Sequence, residues 1–160
     1  SKSTMGPLVA DRRLEVMEDF ISDAISSGGE VISGGGRGQS PGSFFEPTLI
    51  RDVPDTAKIM IEEPFGPVAP SASFSSIDEI IERANSLPFG LASYAFTSNP
   101  RTSQILKSEI ESGMLAINSM HIHSVETPFG GLKHSGYGYE GSIEGLEAFL
   151  VTKYSSEIYT

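Results

Sequence analysis

The 160-residue chain contains no cysteine. That excludes a disulfide framework, a zinc ribbon, a CxxC redox pair and any thiolate nucleophile within it, and it suits a reducing compartment. No apolar run approaches the roughly 18 residues of a membrane span, and the N-terminal residues lack the charged-then-apolar pattern of a signal peptide. Basic residues are few, 11 Lys and Arg against 21 Asp and Glu, for a net charge of −10. They are also scattered, with Arg12–Arg13 the one adjacent pair. Such a chain is a poor binder of nucleic acid, which needs a basic patch to neutralise phosphates. The expectation is a soluble, cytoplasmic protein with neither nucleic acid nor membrane as partner.

What is present supports a packed core. The chain is 38% hydrophobic, and 17 Gly with 10 Pro stay below the range of disordered sequences. Its length suits one domain, or one domain with an appendage, that buries roughly 70% of its unfolded surface. Leu14, Met17, Phe20, Ile21, Ala24 and Ile25 recur at helical spacing over 11–27, ended by Gly28–Gly29. A short strand over 30–33, a Gly-rich loop over 34–43 and an extended run over 44–50 follow. Ser76 with Glu79 has the capping-box spacing and opens a helix over 77–86. The run 91–96 reads as a buried strand. Asn99–Pro100 then supplies a cap and a first-turn proline for a helix to about Ser112. A strand over 114–118, a short helix over 142–148 and a C-terminal strand over 149–154 complete the pattern. Strands alternating with helices predict an α/β fold, a largely parallel sheet with flanking helices.

Chemistry is expected in the loops. Gly136-Tyr-Gly138-Tyr-Glu-Gly141 matches a dinucleotide fingerprint literally, but a fingerprint needs a strand running directly into its first glycine, and loop residues precede this one. His121, His123 and His134 lack a fourth ligand at a fixed spacing, so no metal site is assigned. Lys133-His134-Ser135 puts a base beside a hydroxyl, but triads converge from distant segments. Glu62-Glu63-Pro64-Phe65-Gly66-Pro67 is more specific, because a rigid turn sets a carboxylate acceptor beside an aromatic face. Such a pair can hold a ribose by its hydroxyls and brace a flat ring, or it can be a solvated acidic turn with a core phenylalanine. No catalytic nucleophile with its base is present in the chain.

Four segments in order give the chain a resemblance to the C-terminal part of the aldehyde dehydrogenase catalytic domain. They are Met5-Gly-Pro-Leu8, Gly42-Ser-Phe-Phe-Glu-Pro-Thr-Leu49, Glu62-Glu-Pro-Phe-Gly-Pro-Val68 and Pro128-Phe-Gly-Gly-Leu-Lys-His-Ser-Gly136. The last continues through Gly138-Tyr-Glu-Gly141 and Glu144-Gly-Leu146. The resemblance implies that Glu63 binds the nicotinamide ribose and that Phe65 packs beside the nicotinamide. It implies that His123, Ser124 and Phe129 line the aldehyde entrance. Ser124-Val-Glu-Thr-Pro128 is similar to the Ser-Val-Glu-x-Pro of succinate-semialdehyde dehydrogenases, whose serine helps hold the substrate carboxylate.

By the same resemblance the reaction oxidises a small aldehyde, such as succinic semialdehyde, to its acid with NAD or NADP. It runs through a thioester on a cysteine that relatives carry before the Met-Gly-Pro-Leu segment. Residues 1–148 then read as a catalytic-domain fragment and 149–160 as a C-terminal strand and tail near a subunit interface, without the dinucleotide-binding domain or the nucleophile. The chain alone is expected to be inactive and to self-associate, its parent to be a homo-oligomer. Tyr139 stands where the family usually has an arginine that ties the domain to that interface. The competing expectation is a stand-alone, non-catalytic assembly module that kept the fold.

Overall fold

Leu14, Met17, Phe20, Ile21 and Ala24 line one face of helix α1 (Arg12–Ser26), and all five are buried in the computed structural model, which describes residues 5–159. Their spacing produces the helix, and their burial fixes its position. Fully burying a side chain of this kind contributes about 1.5–3 kcal/mol. The helix stops where expected: Gly28 takes φ 107°, and the Gly29 amide donates to the Ala24 carbonyl at 2.8 Å.

Two compact units divide after Phe74. In the first, β1 (Glu30–Ser33) pairs antiparallel with β2 (Thr48–Arg51), and β2 pairs parallel with β3 (Val68–Pro70). Along β2, Thr48 and Ile50 are buried and Leu49 and Arg51 exposed, the two-residue period of a strand with one covered face. Ile50, Val53, Ala57, Ile59, Phe45 and Val68 close the core against α1. The one-turn helix α2 (Lys58–Ile61) is fastened to α1 by Asp23, which accepts from the Lys58 amide at 2.7 Å, and by Asp19, which accepts from Lys58 Nζ at 2.9 Å. Thr48 is buried yet satisfied: its Oγ1 accepts from the Gly35 amide and donates to the Glu46 carbonyl, each at 2.8 Å.

The second unit begins at Ser75. Helix α3 (Ile77–Asn85) starts at Ser76, whose hydroxyl accepts from the Glu79 amide, while Glu79 in return accepts from Ser75. β4 (Phe89–Gly90) and β5 (Ala92–Ala95) follow, then α4 (Pro100–Glu109), capped by Asn99 Oδ1 on the Arg101 and Thr102 amides. β6 (Met114–Ile117) pairs parallel with β5, and β7 (Leu132–Lys133) pairs antiparallel with β4. Asn85 ties α3 to the end of α4, donating to the Glu109 carbonyl at 2.7 Å and accepting from the Glu111 amide at 2.8 Å. A short helix, α5 (Ser142–Glu147), comes last.

The α/β architecture stands, and three details differ from the expectation. Strand pairing is mixed rather than largely parallel, with β1–β2 and β4–β7 antiparallel and β2–β3 and β5–β6 parallel. The segment 91–96 holds a four-residue strand whose side chains are exposed or half-buried, not buried as expected. Residues 149–154 form no strand: after α5 the Phe149 and Leu150 amides donate back into its last turn, and no backbone ladder follows. A strand exists by pairing, and within the described chain this segment has no partner edge.

Candidate functional site

The acidic turn leaves α2 and enters β3, so both of its ends are fixed. The Glu62 amide donates to Lys58 O at 2.8 Å, and Pro67 O accepts from the Thr48 amide of β2 at 2.8 Å. Lys58 is held protonated beyond its ordinary range by its hydrogen bond to Asp19 and the surrounding carboxylates. Between those anchors Glu63 is exposed, and Phe65 projects with 72% of its surface accessible.

Phe65 has a left-handed backbone, φ 43°. For a residue with a side chain that conformation costs on the order of 1–2 kcal/mol and persists only where its surroundings impose it. Two contacts lie under the turn. Arg13 Nη2 donates to the Pro64 carbonyl. Gly66 sits directly on the buried Met17, where an added Cβ would fall 2.2 Å from the sulfur. The arrangement presents an acceptor-only carboxylate and an exposed ring two residues apart on a fixed scaffold, which fits a ribose diol and a flat heteroaromatic ring.

In the second unit two of the three residues expected at the aldehyde entrance, His123 and Phe129, meet, while Ser124 makes its contacts with Thr127 and Glu126. The His123 ring meets Phe129 edge-on, centroids 5.3 Å apart and planes at 87°. Ser124 opens a tight turn closed by Thr127: the Ser124 amide donates to Thr127 Oγ1 at 2.9 Å and the Thr127 amide to Ser124 O at 3.2 Å. The Ser124 hydroxyl, with local backbone, holds the Glu126 carboxyl below its usual range. Phe129 exchanges two 2.8 Å backbone bonds with Glu140, and the Ser142 amide donates to Val125 O at 3.0 Å. The loop is thus pinned to the start of α5.

The remaining motifs have structural roles. Lys133 Nζ donates to the Asn85 and Leu87 carbonyls and pairs with Glu111 at 2.6 Å, closing the end of α3. His134 packs edge-on against Phe89, and Ser135 Oγ accepts from the Gly90 amide at 2.9 Å. Gly136, Gly138 and Gly141 all have positive φ, but the preceding strand β7 ends at Lys133 in an antiparallel pair, without the βαβ setting of a dinucleotide fingerprint. The cavity beside Phe129 and Tyr139 is about 200 Å³, below the roughly 300 Å³ at which ligand pockets begin. Tyr139 lies over Gly130, where a Cβ would fall 2.5 Å from its ring. Among the described residues no group of three or more His, Asp or Glu is placed to hold a metal, and no helix is long and apolar enough to cross a membrane. Sequence reasoning missed Arg13, Met17 and Thr127. For the first two the only signal was their i, i+4 spacing, which reads equally as a helix face.

The candidate chemistry thus lies in two stretches, the Glu63–Phe65 turn of the first unit and the loop with His123, Ser124 and Phe129 in the second. Residues 1–155 match the aldehyde dehydrogenase family, and the chain belongs to that family. It is 42% identical over 154 residues to the 4-(hydroxymethyl)benzenesulfonate dehydrogenase of Comamonas testosteroni, covering 96% of this chain and 32% of that protein. Over 152 residues it is 41% identical to the mitochondrial succinate-semialdehyde dehydrogenase of Rattus norvegicus, covering 95% and 29%. Its fold is similar to the crystal structure of succinate-semialdehyde dehydrogenase from Burkholderia pseudomallei, with a TM-score of 0.91 at 36% identity over 94% of this chain and 31% of that one. The chain spans about a third of the length of these relatives.

Proposed function

We propose that this chain serves an NAD(P)-dependent aldehyde dehydrogenase, as the part that steadies the nicotinamide end of the cofactor and shapes the aldehyde entrance. The observation that carries the reading is Phe65, an exposed ring held at φ 43° two residues after an exposed carboxylate. A solvated turn gains nothing from that strain, whereas a ring-binding platform does. Glu63 accepts from the ribose hydroxyls and Phe65 packs on the nicotinamide face. NAD(P)+ held by these two residues would supply the hydride acceptor for the oxidation. The thiol that forms the thioester lies outside these 160 residues, which contain no cysteine. The chain by itself therefore has no turnover.

The substrate is a small aldehyde with an acidic group at its far end. Ser124 supplies a hydroxyl to that group, and His123 and Phe129 form the wall beside it. Two of the relatives' names, one a sulfonate and one a semialdehyde of a dicarboxylic acid, support an anionic substrate. The parent is a homo-oligomer in which the exposed segment after α5 packs on another subunit. Nothing observed favours the non-catalytic assembly module.

The test is a steady-state assay of the protein that joins this chain to its reacting thiol, with NAD(P)+ and matched acidic and neutral aldehydes. Selective oxidation of the acidic aldehyde, reduced in Ser124→Ala chiefly through KM, supports the reading. Equal rates on both aldehydes, unaffected by Ser124→Ala, remove the assigned substrate class.

A further inference from the structure

We propose that Arg13 and Met17 of α1 are positioning residues that set the Glu63–Phe65 turn for the cofactor. This rests on the reading of that turn given above.

Arg13 and Met17 stand four residues apart on α1, so both side chains project from one face of the helix. They meet consecutive parts of the turn. Arg13 Nη2 donates to the carbonyl of Pro64, the residue between Glu63 and Phe65. Met17, fully buried, lies under Gly66, where a Cβ would come within 2.2 Å of its Sδ and 3.1 Å of its Cε. Phe65, between these two holding points, is the residue with the left-handed backbone. The carbonyl bond fixes the peptide on its N-terminal side, and the close approach at Gly66 fixes the one on its C-terminal side. With both peptides fixed, φ of Phe65 is dictated rather than chosen, and the ring direction follows from it. α1 is itself braced by the core and by its ties to α2, so the platform is built on a rigid element.

A charged guanidinium is a strong donor to a carbonyl, and its planar fork restricts the approach. Arg13→Lys keeps a charged donor but loses the fork, and Arg13→Ala loses both. Neither side chain is assigned a contact with the cofactor, so their effect passes through Pro64 and Gly66.

The experiment has a structural and a kinetic part. In the 160-residue chain, the Phe65 amide–Hα coupling and Cα shift are measured by NMR for wild type, Arg13→Lys, Arg13→Ala and Met17→Leu. In the protein carrying the reacting thiol, KM for NAD(P)+ and kcat are measured for the same variants. The expected result is that Arg13→Ala moves the Phe65 signals away from left-handed values while the α1 signals stay. KM for NAD(P)+ then rises roughly three- to tenfold, the loss of one charge-assisted hydrogen bond, with partial rescue by Arg13→Lys. Met17→Leu, which keeps the volume and the fold, shifts the same Phe65 signals by a smaller amount. Phe65 signals unmoved in both Arg13→Ala and Met17→Leu overturn the proposal, as does a displaced turn with an unchanged KM for NAD(P)+. Failure of the underlying cofactor reading is recognised separately, by Glu63→Ala and Phe65→Ala that leave that KM unchanged.

Discussion

Ser124 and Thr127 hold each other through both backbone and side chain: the Ser124 amide donates to Thr127 Oγ1 at 2.9 Å, and the Thr127 amide donates to the Ser124 carbonyl at 3.2 Å. Thr127 Oγ1 donates to the same carbonyl at 3.1 Å. The serine assigned to the substrate's acidic group is therefore carried on a turn whose geometry a threonine hydroxyl enforces.

Thr127→Val keeps the shape and removes that hydroxyl. The expected outcome is a roughly two- to tenfold rise in KM for an acidic aldehyde, about one hydrogen bond, with KM for a neutral aldehyde unchanged. The comparison of the two KM values checks it; equal effects on both would place Thr127 outside substrate selection.

Gly113 allows no side chain. A Cβ there would fall 1.8 Å from the Gly130 carbonyl oxygen, a backbone atom that cannot step aside like a flexible side chain. Gly113→Ala is expected to destabilise the chain by more than about 2 kcal/mol, at the upper end for overpacking. Urea unfolding by circular dichroism measures it, and a loss under about 0.5 kcal/mol would show that the 113–130 approach relaxes freely.

The Glu18–Arg37 pair makes stability sensitive to acid. Arg37 donates two hydrogen bonds to the Glu18 carboxylate, at 2.7 and 2.8 Å, and these hold the Glu18 carboxyl below its ordinary value of 4.5. A carboxyl lowered in the folded state contributes stability that is present above its unfolded value and lost as pH falls through the folded one. Arg37→Ala is therefore expected to be less stable than wild type at pH 7, with the gap narrowing below about pH 4.5. Both side chains are exposed, so the gap is small. A carboxyl NMR titration is the direct check, and Glu18 titrating alike in the two proteins would contradict it.

Exposed apolar residues predict association of the isolated chain. Phe149, Val151 and Tyr154 are each more than 85% exposed on a segment without strand pairing. Apolar surface left open in this way marks an interaction site or an aggregation liability. Light scattering of the 160-residue chain should show concentration-dependent assembly, weakened by Val151→Lys. A monomer at every concentration would contradict it.

The legible part of the sequence was the local part. The apolar face of α1, the Ser76 and Asn99 caps and the Gly28 stop each depend on neighbours within a turn or two, and each lies where the spacing puts it. The candidate site was an expectation from family likeness, with Glu63, Phe65, Ser124 and Phe129 inside linear motifs and His123 just before one. What could not be read depends on contacts distant in sequence. β3 falls within what reads as loop, and it is a strand because β2 lies beside it. The expected strand over 149–154 has the right residues but no pairing strand among the described residues. Arg13 reaches Pro64 across 51 positions, a contact that no periodicity encodes.

The central claim is that Glu63 and Phe65 form the nicotinamide platform, and cofactor affinity with single-turnover hydride transfer in Glu63→Ala tests it most directly. The protein measured is the one that carries this chain with its reacting thiol. The account predicts a folded variant, by circular dichroism, with hydride transfer or NAD(P)+ affinity reduced about tenfold or more, the scale of lost charge-assisted hydrogen bonds. Wild-type affinity together with wild-type hydride transfer would contradict it and return the turn to an ordinary acidic loop.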